Sequence, residues 1–70
     1  MAPMVAQTIT RTEREILSLT AQGRSAPDIA RRLELSTATV KTQLLTIYEK
    51  LGVSDRSAAV AAAGRHGLLE

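Results

Sequence analysis

The stretch from Ser36 to Leu45 gathers the side chains best suited to chemistry: Ser36, Thr37, Thr39 and Thr42 with hydroxyls, Lys41 with an ammonium, and Ala38, Val40 and Leu45 between them. No base stands beside these hydroxyls to make a nucleophile, so the chemistry is recognition rather than bond-breaking. A hydroxyl at the start of a helix caps its free amides, and those amides bind an anion such as a phosphate. A lysine donates to guanine O6 or N7, a threonine bonds a base edge or touches a thymine methyl, and a leucine makes only apolar contact. With Val40 at the centre of a buried helix face, Lys41 falls at about 100°, Leu45 at about 140° and Thr42 at about 200°. Ala38, Lys41, Thr42 and Leu45 therefore form one outward strip near the start of a helix.

Local signals in the sequence predict the elements that must hold this strip. Thr10 to Glu13 fits a capping box that opens a first helix over about 11–22, with Gly23 as its stop. Ser25 caps a second, short helix over about 26–33, with Pro27 in its first turn and Asp28 at its positive end. Ile29, Ala30 and Leu33 make its inward stripe. Glu34 and Leu35 turn the chain, and Ser36 caps a third helix that runs to about Leu51. Its core positions are Val40, Leu44, Ile47 and Leu51, and Gly52 ends it. Ser54 or Asp55 caps an alanine-rich fourth helix from Arg56 to about His66, closed by Gly67. The pattern predicts an all-α, four-helix domain over 9–70 behind a disordered tail over 1–8, with no strand, repeat or second domain.

A short capped helix, a tight turn and a longer exposed helix are the parts of a helix-turn-helix, here about 26–45, whose second helix enters a DNA major groove. On that geometry Lys41, Thr42, Leu45 and Ala38 face the bases. Ser25, Ser36, Thr37 and Thr39 at two helix starts, with Arg24, Arg31 and Lys50, face phosphates. Arg32 is a further candidate cation, and since it follows Arg31 directly, one of the two serves only to solvate its helix. The expected partner is double-stranded DNA.

Composition narrows the alternatives. Seventy residues make one small domain. There is no Cys, so disulfides and thiolate metal sites are excluded, and one His cannot hold a metal unaided. A single Tyr argues against a base-stacking surface for single strands or RNA. No apolar run spans a bilayer and the N-terminus lacks a secretory signal, which predicts a soluble, cytoplasmic protein. The formal net charge of +2 lies wholly within 24–50, where Arg24, Arg31, Arg32, Lys41 and Lys50 face Asp28, Glu34 and Glu49. Phosphate binding would want that placement, although an ordinary solvated surface could also carry it. His66 reads as a surface residue. No catalytic motif, metal motif or cofactor loop is present, so neither an enzyme nor a cofactor is expected.

Taken together, Thr10, Glu13, Glu15, Leu19–Gly23, Asp28–Ala30, Leu33, Leu35-Ser36, Thr39–Lys41, Lys50–Val53 and Arg56 resemble the LuxR-type (GerE-like) helix-turn-helix. That domain is the output domain of NarL/FixJ-class response regulators and of quorum-sensing regulators. The resemblance covers about 9–69. It implies sequence-specific DNA binding by a bacterial transcription regulator, with Lys41, Thr42 and Leu45 at the family's base-facing positions. It also implies contact with RNA polymerase and dimerisation through the last helix. Ala59, Val60, Ala62 and Ala63 would then form the interface of a homodimer that is weak in solution and stronger on DNA. The chain departs from the family at Thr12, Pro27, Gln43 and Leu45, the last being apolar where many members are polar or basic. Two other readings stay open on the residues alone: a sigma-factor-like promoter-reading domain, and a protein-interaction module using the exposed faces of the third and fourth helices.

Overall fold

The computed structural model describes residues 8–69, which hold four complete helices and no strand. They are α1 (Arg11–Ala21), α2 (Ala26–Leu33), α3 (Thr37–Leu51) and α4 (Arg56–Arg65). Each start matches its expected cap. Thr10 and Glu13 close both halves of the capping box: the Glu13 amide donates to Thr10 Oγ1 at 3.1 Å and the Thr10 amide to Glu13 Oε1 at 2.8 Å. Ser25 accepts from the Asp28 amide, Ser36 from the Thr39 amide, and Asp55, rather than Ser54, from the Ala58 amide. Helix α1 ends at Ala21 and α4 at Arg65, one residue short of expectation in each case, because Gln22 and His66 take the capping positions. The disordered tail expected over 1–8 lies, Thr8 apart, outside the described residues.

The core forms where the helical stripes meet. Ile16 and Leu17 of α1, Ile29 of α2 and Val40 and Ile47 of α3 are fully buried. Leu33, Leu44 and Leu51, expected inside, are half-buried and pack against that core from its edge. Helix α1 touches all three other helices, α2 and α3 pack most extensively together, and α4 lies on α1 and α3. Burying a side chain of this size contributes about 1.5–3 kcal/mol, so these few aliphatic residues provide most of what holds α3 in place.

The turn between α2 and α3 has a feature that its residue types do not signal. Glu34 adopts the left-handed conformation at φ 59°, a position that favours glycine or asparagine. The Leu35 amide then returns to the Ala30 carbonyl at 2.8 Å, closing the end of α2 and half-burying Leu35. That bond fixes the direction in which the chain enters α3.

Helix α4 requires a correction. Ala59, Ala62 and Ala63, expected at a dimer surface, are 0%, 1% and 0% exposed and pack into the chain's own interior. An alanine-rich helix has little contrast between its faces, so its inner side could not be read from its pattern. These small side chains form the face by which α4 packs on α1 and α3. Val60 is half-buried, and Ser57, Ala61 and Gly64 make the outer side.

Candidate nucleic-acid interface

With Val40 and Ile47 turned wholly inward, the opposite side of α3 is free. Ala38, Lys41, Thr42 and Leu45 are all exposed there, and Leu45, at 65%, is the exposed large hydrophobic residue among those described. A shallow concavity lies along the same helix, lined by Ala38, Thr39, Thr42, Gln43 and Thr46. Gln43 and Thr46 were not among the expected site residues; Gln43 follows Thr39 by one helical turn, the spacing that could have indicated it. The Thr46 hydroxyl donates to the Thr42 carbonyl at 3.2 Å, so its hydrogen is directed into its own helix.

The start of α3 carries its hydroxyls as expected. Ser36 and Thr39 are exposed and Thr37 is half-buried. Besides taking the Thr39 amide at 3.0 Å, the Ser36 hydroxyl donates to Thr39 Oγ1 at 2.8 Å. The first-turn amides of Thr37 and Ala38 precede the helical ladder, which leaves this end with the partial positive charge of a helix N-terminus. Ser25 is exposed at the start of α2 and makes the equivalent cap there.

The expected cations divide into two groups. Arg24, Arg31 and Arg32 converge on one carboxylate, that of Asp28. Arg31 donates to Oδ1 at 2.7 Å, while Arg24 and Arg32 reach Oδ2 at 3.3 and 3.4 Å. Burial raises the Asp28 pKa, but the charge and hydrogen bond of Arg32, then those of Arg24, outweigh it and hold the carboxyl below its ordinary range. The three cations are therefore aligned by one anion and keep a net positive field. Arg24 is further tied in through its carbonyl, which accepts from the Arg56 guanidinium. Its Nε is buried without a partner.

Lys50 belongs to neither the strip nor this cluster, and its expected phosphate role is corrected. Its ammonium donates to Glu13 Oε1 at 2.8 Å, to Glu13 Oε2 at 3.0 Å and to the Thr8 carbonyl at 2.7 Å. Those bonds occupy all three donors of a lysine. The Glu13 side chain is only 5% exposed. Burial pushes its pKa up, yet the Lys50 hydrogen bond, the Thr10 amide and the Lys50 charge together bring it below the usual glutamate range. Lys50 thus joins the end of α3 to the start of α1. Glu13 was expected only as a cap, and nothing local in the sequence signals a partner 37 residues away.

A short helix, a tight turn and a second helix with an uncovered face, braced by two more helices, define a four-helix helix-turn-helix domain. The chain belongs to the luxR family of bacterial regulatory proteins, whose family model matches residues 7–63. It is 51% identical over 69 residues to the probable transcriptional regulatory protein NarL of Mycobacterium tuberculosis (strain CDC 1551 / Oshkosh), a match covering 99% of this chain and 32% of that protein. It is 40% identical over 63 residues to the transcriptional regulatory protein LiaR of Bacillus subtilis (strain 168), covering 90% of this chain and 30% of that one. Among solved structures, that of the transcription factor GerE superposes with a TM-score of 0.83 at 39% identity, covering 87% of this chain and 91% of that chain. The response regulator ChrA of a heme-sensing two-component system gives the same TM-score at 47% identity, covering 86% and 30%. The chain spans about a third of the length of the regulators NarL and LiaR.

Proposed function

We propose that this chain is the DNA-binding part of a bacterial transcription regulator and binds double-stranded DNA sequence-specifically, with α3 in the major groove. The observation that carries the reading is the uncovered strip Ala38, Lys41, Thr42 and Leu45, held outward by the buried Val40 and Ile47 in a fold of the luxR family. Lys41 and Thr42 offer hydrogen bonds to base edges. Ser25, Ser36, Thr37 and Thr39 offer hydroxyls and first-turn amides to phosphates, and the arginines on Asp28 supply charge beside them. The likeness to NarL and ChrA supports an output domain of a response regulator, acting at the nucleoid in the cytoplasm. Contact with RNA polymerase and weak pairing on adjacent half-sites complete the proposal. A pair formed through α4 would use Val60 with the outer residues Ser57, Ala61 and Gly64.

The test is fluorescence anisotropy of a labelled duplex over a range of salt. Counterion release from several phosphate contacts makes log affinity fall steeply and linearly with log salt. A response that stays flat, or no binding to duplex DNA at low salt, would reject the reading in favour of a protein-interaction module.

A further inference from the structure

We infer that Leu45 reads the C5-methyl group of a thymine, within about two base pairs of the base that Lys41 contacts. This rests on the proposed placement of α3 in the major groove. Leu45 is 65% exposed on the outer strip of α3, while every other large hydrophobic residue described is at least half-buried. An apolar side chain left in water on a binding face gains from losing that water when a partner covers it. The partner chemistry is restricted, because a leucine neither donates nor accepts. Among the groups that base pairs present in the major groove, the thymine methyl is the apolar one.

The surroundings of Leu45 agree. Thr42 stands beside it on the strip and Ala38 lies two turns before it, and the Thr46 hydroxyl donates to the Thr42 carbonyl. Lys41 is the one cation on this strip, and it lies one turn before Leu45. At about 1.5 Å per residue the two are separated by about 6 Å along the helix axis. Base pairs stack at about 3.4 Å, so with α3 lying along the groove the two side chains reach bases within about two steps of each other. Lys41 selects by donating hydrogen bonds and Leu45 by apolar contact, so the two readouts are chemically independent.

The experiment starts from duplexes enriched by the chain from a random pool. In the best-bound duplex each thymine is replaced, one at a time, by deoxyuridine, which removes only the methyl. Burial of one methyl corresponds to about a fourfold change in affinity. The expected result is one thymine per half-site whose replacement weakens binding about three- to fivefold. Leu45→Ala should bind the thymine and deoxyuridine duplexes equally, and Lys41→Ala should keep the difference. Leu45 is not part of the core, so Leu45→Ala leaves the fold intact, and a melt of the variant checks this. If the chain enriches a sequence but no thymine methyl matters, or if Leu45→Ala keeps the difference, this inference is overturned and the DNA reading stands. If the chain enriches no sequence, both fall.

Discussion

Lys41 and Lys50 lie on one helix and carry the same charge, yet their surroundings give them different work. Lys41 is exposed and free to meet a ligand, whereas Lys50 is bound by a buried carboxylate and a carbonyl. Removing one member of a buried ion pair leaves the other desolvated and unpaired. Because the lysine is itself partly exposed, Lys50→Ala should cost about 1–3 kcal/mol of stability, read by urea denaturation, while the folded fraction keeps the parent's affinity for duplex DNA. A melt unchanged by Lys50→Ala would mean that the bridge between α1 and α3 does not stabilise the fold. The pH dependence follows from Glu13. Its folded pKa is depressed, so its contribution is present above the ordinary glutamate value of 4.5 and is lost as pH falls below it, through the folded value. Glu13→Gln should accordingly flatten the loss of stability in acid. Asp28, depressed by its arginines, adds a loss of the same sign over acid pH.

Among the elements, α3 depends on its cap for the geometry of its first turn. Ser36 holds the Thr39 amide and bonds the Thr39 hydroxyl, ordering the turn that meets DNA in the proposed complex. Ser36→Ala should lower stability by about 1 kcal/mol in a thermal melt. If the melt does not move, the first turn of α3 is held by something other than this cap. The helix starts were legible in the sequence because a capping bond joins residues three apart, as Thr10 with Glu13 and Ser36 with Thr39 show. The outer strip of α3 was legible because Val40 and Ile47 contrast sharply with Lys41 and Thr42. Three features were not. Glu34 takes a left-handed turn without being a residue type that signals one. Lys50 reaches Glu13, and Arg56 reaches the Arg24 carbonyl, across 37 and 32 residues, which no local pattern encodes. The inner face of α4 was hidden because alanines line both of its sides.

For the whole molecule, the way α4 packs decides which surface is left for a second copy. A domain of this size has only about 4–10 kcal/mol of stability. A charge placed at Ala63, which is fully buried, would cost about 3 kcal/mol or more, so Ala63→Glu should melt far below the parent when followed by circular dichroism. Ala61 lies on the exposed side of the same helix, and Ala61→Glu should fold as the parent does. In a two-fold pair through this face the new charge would appear twice, so Ala61→Glu should lower the cooperativity of binding to paired half-sites. If Ala61→Glu binds paired sites as cooperatively as the parent, the copies do not meet through α4.

In the proposed complex the outer strip of α3 reads base sequence and does not merely hold phosphates. The most direct test compares the dissociation constants of the parent and of Lys41→Ala on a selected duplex and on a scrambled duplex of the same composition, at one salt concentration. Lys41→Ala should lose about 1–3 kcal/mol on the selected duplex, bind the scrambled one almost as the parent does, and relax preference at one base position. An equal loss on both duplexes would make Lys41 a phosphate contact and leave the strip without a role in base readout.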